Sequence, residues 1–92
     1  MISIPEIVDL CSYYENMTFC CTKCGHKPKF FYSDTCTTES VITLKCDDFQ
    51  LTRTISLIQL SQSSVPKLYI TSVLTEMVNT WNETVRRAHN EN

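Results

Sequence analysis

The sequence predicts an α+β fold: one small three-stranded antiparallel sheet flanked by an N-terminal and a C-terminal helix. Three observations predict it. Apolar residues recur at helical spacing near both ends of the chain. Between them, β-branched and aromatic runs alternate with turn residues. In 92 residues there is no room for a second independent core, so residues 1–92 read as one domain.

The first helix is expected over Ile4–Tyr14. Ser3-Ile4-Pro5-Glu6 has the form of a capping box, in which Ser3 accepts from a first-turn N–H and Glu6 reaches back. Behind it Ile7, Leu10, Cys11 and Tyr14 fall at i, i+3, i+4 and i+7, one face of a helix. Cys11 on that face reads as a small apolar core residue. "KFFYS" (29–33) and "SVITLKC" (40–46) read as strands, with "DTCTTE" (34–39) supplying the turn of a hairpin. "LTRTISLI" (51–58) reads as the third strand and "SQSSVP" (61–66) as a loop. "KLYI" (67–70) fits a short edge strand or the approach to the next helix.

The last helix is expected from Ser72 to His89. Val73, Leu74, Met77, Val78, Trp81, Val85 and Ala88 make one apolar stripe, with Glu76, Asn79, Glu83 and Arg86 opposite. Arg86, Arg87 and His89 complement the helix dipole at the C-terminal end. A bare three-stranded sheet is marginal alone, so the Trp81 face is expected to be its main cover.

Net charge is −2, from 8 basic and 10 acidic residues. That is too weak a charge to mimic DNA and the wrong sign for a generic nucleic-acid binder, which leaves room only for a local basic site. The N-terminal segment has no basic n-region and carries Glu6 and Asp9 where a signal peptide is apolar. No run reaches the roughly 18 apolar residues of a membrane span. The expectation is a cytoplasmic protein with no membrane partner, in a compartment where thiols stay reduced.

Six cysteines are an even number, which also suits a disulfide framework. A reducing compartment favours metal sites or buried thiols instead. Cys21-Thr22-Lys23-Cys24-Gly25 has the shape of a zinc knuckle: two thiolates three apart reach one metal, and the glycine permits the tight turn. Cys46 stands at the matching end of the hairpin, but the second cysteine expected there is Phe49, which cannot ligate. The expected metal ligands are therefore Cys21, Cys24 and Cys46, holding a structural zinc. The fourth ligand stays open among His26, Asp47, Asp48 and Cys11. Cys36 sits at the hairpin tip, on the order of 15–20 Å away at ~3.3 Å per strand residue. The alternative is a ribbon that keeps its shape by packing and binds no metal.

"CTKCGHKP" (21–28), "VITLKC" (41–46) and "LTEMVNTWNETVRRA" (74–88) together resemble the restriction alleviation (Lar-like) proteins of phages and prophages. That family pairs a cysteine knuckle with a hairpin, a second knuckle and a final helix carrying a Trp-Asn motif, matched here by Trp81-Asn82. The resemblance covers about half the chain. Residues 1–19 are an added helix, 50–72 are longer than the family's second-knuckle loop, Thr22 replaces a proline and Phe49 a cysteine. It implies a zinc-ribbon-like domain of phage or mobile-element origin that acts against a host defence by protein–protein contact.

The residues themselves point away from an enzyme: no nucleophile stands with a base in a recognisable motif, and there is no phosphate-binding glycine loop. A thiol oxidoreductase would open a helix with its Cys-x-x-Cys inside a βαβ unit, whereas a glycine turn into a hairpin follows here. The expectation is a binding module for a host defence or nucleic-acid-processing protein, with no small-molecule substrate. Its partner surface is expected on the exposed face of the first helix (Asp9, Ser12, Glu15) and on the 59–67 loop. The alternative is a nucleic-acid-binding ribbon, with Lys23, Lys27 and Lys29 beside Phe30, Phe31 and Tyr32. Against it, alternate aromatics of a strand can simply fill the core while the lysines form a solvated rim.

Overall fold

The computed structural model describes residues 4–22, 25–34, 37–47 and 49–90, with side chains as far as Ala88. Helix α1 spans Ile4–Glu15, followed by strands β1 (Lys29–Asp34), β2 (Glu39–Lys45) and β3 (Gln50–Ser56), then helices α2 (Leu57–Gln62) and α3 (Pro66–Asn90). The strands form one antiparallel sheet in the order β1-β2-β3, so the fold is α+β.

Register decides which side chains share a face. Phe30 pairs with Leu44 and Leu44 with Leu51, while Tyr32 pairs with Ile42 and Ile42 with Arg53. Because side chains alternate along a strand, these two rows lie on one face. Lys29, Lys45 and Gln50 lie on the other, with Phe31, Thr43 and Thr52 beside them. Burial follows the first face: Ser40, Ile42 and Leu44 of β2 are buried and the residues between them are not. Ile70, Leu74, Met77 and Trp81 of α3 are inaccessible to solvent, and Ile7 and Cys11 of α1 complete the core. Helix α1 lies against both α3 and β1. Helices thus cover one face of the sheet, and among the described residues nothing covers the other.

Two polar groups on the packed face are satisfied in place. Buried Ser40 accepts a hydrogen bond from the Tyr32 hydroxyl (2.8 Å) and donates to Asp34 Oδ1 (2.7 Å). Burial pushes the Tyr32 phenol up, and the Asp34 charge adds to the shift. Arg53, in an inward row on an edge strand, reaches out to Glu76 of α3, with Nε to Oε1 at 3.1 Å.

Two sequence expectations are corrected. The third strand ends at Ser56 rather than Ile58, and Leu57–Gln62 is a short helix where the end of a strand and a loop were expected. Ser56 caps it, its Oγ accepting from the Gln59 N–H at 3.2 Å. Helix α3 begins at Pro66, not Ser72, so Lys67–Ile70 is helical. Proline suits the first turn because its missing N–H has no partner there in any case. The result is a 25-residue helix, about 37 Å long, in a molecule whose longest dimension is 45 Å. Ser3 of the capping box, Cys36 of the hairpin turn and the side chain of His89 lie outside the described residues. No helix among the described residues is long and apolar enough to cross a membrane.

Candidate functional site

The cysteine-bearing turns meet at one end of the sheet. Cys46 follows Lys45, which pairs with Lys29, and the turn holding Cys21 leads into that same Lys29. In this turn the Cys21 N–H donates to the His26 carbonyl (2.9 Å), and the Gly25 N–H donates to the Cys21 carbonyl (2.8 Å). Gly25 has φ +75°, a left-handed conformation that a side chain disfavours. A Cβ there would meet no atom within 4 Å, so the backbone conformation, not space, selects glycine. The second turn is closed by the Cys46 N–H donating to the Phe49 carbonyl at 2.9 Å.

Helix α3 fixes the chain that enters the first turn. The Trp81 Nε1–H donates to the Phe19 carbonyl at 3.0 Å. The Asn82 amide works in both directions: its Oδ1 accepts from the Phe19 N–H (2.8 Å) and its Nδ2 donates to the Met17 carbonyl (3.1 Å). Trp81 and Asn82 thus read the backbone of 17–19 much as a neighbouring strand would, and hold it a few residues before Cys21. Thr18, buried under this clamp, returns its hydroxyl to the Glu15 carbonyl at 2.7 Å. The sequence offers Trp81 as a core residue and Trp81-Asn82 as a motif match, with no partner for either. The bridge spans more than sixty positions, and no local pattern signals it.

Two clefts flank the cysteine end. The smaller, about 240 Å³, is lined by Cys21, Phe49, Trp81, Val85 and their neighbours, with the Phe49 and Trp81 rings 5.3 Å apart. Where the family pattern would set a fourth cysteine, a ring packs on the tryptophan instead. The larger, about 590 Å³, is lined by His26, Lys27, Lys29, Phe31, Lys45, Cys46 and Asp47. Here His26 Nδ1 stands 3.5 Å from Asp47 Oδ2, both groups exposed. Lys27 Nζ donates to the Asn16 carbonyl at 3.1 Å, and Lys45 Nζ lies 4.8 Å from the centre of the Phe31 ring.

Of the expected zinc ligands, Cys21 is buried, Cys46 is half-buried, and Cys24 lies outside the described residues. No group of three histidine, cysteine, aspartate or glutamate side chains able to hold a metal forms among the described residues. The candidates for a fourth ligand separate clearly. Cys11 sits in the core on α1, where burial, and secondarily Glu15, push its thiol up to about 11. Asp48 lies outside the described residues. His26 and Asp47 are already paired with each other beside Cys46. Cys20, next to Cys21, is exposed.

The aromatic run next to the turn splits by face. Phe30 and Tyr32 pack on the core and Phe31 stands on the open face, 46% exposed. Lys23 lies outside the described residues. The first-helix residues Asp9 and Ser12 are exposed and Glu15 is half-buried. Compared with family models, with curated proteins and with solved structures, the chain matches none.

Proposed function

We infer that this chain is a small accessory protein of a phage or mobile element, zinc-ribbon-like in design. In this reading it binds and modulates a host defence or nucleic-acid-processing enzyme by protein–protein contact in the host cytoplasm. One observation carries the reading. Ten large apolar side chains are left exposed among the described residues: five (Ile4, Val8, Tyr13, Met17, Phe19) lie in 1–19 and three (Ile58, Val65, Leu68) in 50–72. Eight of the ten therefore fall in the two segments that the resemblance to the restriction alleviation proteins does not cover. Elements added to a shared scaffold are where a distinct partner is recognised, and clustered exposed apolar residues mark contact surfaces. The elbow between α2 and α3 is the strongest case, with Ile58, Val65 and Leu68 exposed by 53%, 54% and 61%.

The scaffold role assigned to zinc suits the donor type present: thiolates on two turns, Cys21 and Cys46, with Cys24 as the third. Bound there, the metal would join the turns and add its binding energy to folding. Cys24→Ser should then release metal and lower the melting temperature together, while Cys36→Ser changes neither. Metal content that survives Cys24→Ser would remove zinc from the account.

Affinity capture from host lysate tests the function itself. Wild-type protein should retain a specific defence or nucleic-acid-processing protein, and the Val65→Asp/Leu68→Asp variant should lose it with an unchanged melting curve. Equal capture by that variant and by an Ile4→Asp/Val8→Asp variant would contradict the reading.

A further inference from the structure

We propose that the open face of the sheet, at its cysteine end, is a binding site for single-stranded nucleic acid, separate from the apolar surface at the α2–α3 elbow. The geometry starts from the cross-strand pair Lys29 and Lys45. Directly opposed residues on one face hold their Cβ atoms about 5 Å apart, and like charges placed so are destabilising. Gln50 completes that row, so the row itself holds no carboxylate to offset the pair. Lys27 adds a third ammonium to the same cleft, tethered to the Asn16 carbonyl. Among the described residues one carboxylate lines the cleft, Asp47, and it faces His26. A chain of net charge −2 thus gathers at least three of its eight basic side chains in a cleft where, among the described residues, Asp47 is the single acidic group. Charge complementarity calls for an anionic occupant.

Phe31 identifies the kind of anion. It lies two residues from Lys29 on the same strand, on the same face, about 7 Å along. It is 46% exposed, and the face around it carries hydroxyl side chains, Thr43 and Thr52 in its own row. Phe31 thus presents a ring on the open face on which something flat or apolar can pack. Lys45 now occupies the ring, 4.8 Å from its centre. A nucleobase stacked on Phe31 replaces that cation–π contact, and the freed Lys45 turns to the adjoining phosphate. Ring and lysines together match the alternation of base and phosphate in a flexible strand, whereas an acidic peptide would use the lysines and leave the ring without a role. A duplex presents no free base face to the ring. Single strands are the class that fits.

Fluorescence anisotropy with a labelled oligothymidylate of about ten nucleotides tests this on the full-length chain. Saturable binding is expected with Kd of about 1–100 µM, and log K should fall against log salt with a slope of about −2 for three lysines. Phe31→Ala and Phe31→Leu should each weaken binding, the former by roughly five- to a hundredfold, with unchanged far-UV circular dichroism. Lys29→Ala should lower the slope by about 0.7. The Val65→Asp/Leu68→Asp variant should bind the oligonucleotide normally, which separates this site from the elbow. No saturation at ~1 mM, far above the expected range, or affinity unchanged by either Phe31 substitution, would overturn the proposal. So would polyglutamate competing as well as the oligonucleotide, which would assign the face to an acidic protein instead.

Discussion

The two faces of the sheet use the same three strands and opposite chemistry. On the packed face Ile42, Leu44 and Ile55 meet Ile70, Leu74 and Met77, and the polar groups present are paired within the fold: Ser40 with Tyr32 and Asp34, Arg53 with Glu76. On the open face threonines and Val41 stand with two lysines set side by side and a half-exposed phenylalanine. The packed face is apolar where it meets the helices and pairs the polar side chains it carries, which is what stability demands. The open face breaks two local rules, with a like-charge pair and an exposed ring, and such breaks collect where a surface does something other than fold. The same contrast runs through the helices. The inner stripe of α3 is apolar throughout, while the elbow with α2 leaves Val65 and Leu68 in solvent.

Substitutions on the packed face should be costly, and the largest effect is expected at Trp81. Trp81→Ala removes a buried ring and its hydrogen bond to the Phe19 carbonyl, and should cost ~3–5 kcal/mol in chemical denaturation. A melting curve close to wild type would dissolve the distinction between the faces. Asn82→Ala comes next. Its two hydrogen bonds to the 17–19 backbone lie near solvent, so water replaces part of them and about 1–2 kcal/mol is expected. Hydrogen exchange sharpens this, because the Phe19 amide should lose protection in the variant while core amides of β2 keep theirs.

Alkaline pH probes the core from another side. The Cys11 thiol is held at about 11, above its ordinary 9.0, so the unfolded chain releases its proton first. Stability from this group is intact below pH 9 and falls as pH rises toward 11. Cys11→Ala should flatten that part of the profile, and an unchanged slope would show the thiol to be solvated. Exposed Cys20 should meanwhile react with iodoacetamide in the native state and Cys11 only on unfolding. The smallest effects belong to the open face: Thr52→Ser and Thr54→Ser should each move stability by no more than about 0.5 kcal/mol.

What the sequence made legible follows the range of each interaction. The α1 face (Ile7, Leu10, Cys11, Tyr14) and the α3 stripe around Leu74, Met77 and Trp81 are local periodicities, and both pack as their spacing predicts. The three strands are readable from β-branched runs between turns. Helix α2 is not, because "LTRTISLI" continues without an apolar break and six residues carry too little period to tell helix from strand. The available signal was Ser56-x-x-Gln59, a capping form inside the run. At the cysteine end, the nearness of the Cys21 and Cys46 turns is readable from the hairpin. The Lys29–Lys45 pair needs the strand register, and the Trp81–Asn82 clamp on 17–19 needs the tertiary fold. Those are the features that give the site its shape.

We propose that the chain recognises a host protein through its exposed apolar surfaces, with the α2–α3 elbow foremost. Titration calorimetry of the captured partner, purified, against wild-type protein and the Val65→Asp/Leu68→Asp variant tests it most directly. A single-site isotherm is expected for the wild type, with Kd raised by about tenfold or more in a variant of unchanged fold, as when apolar anchors leave an interface. Identical dissociation constants for the two proteins would contradict it.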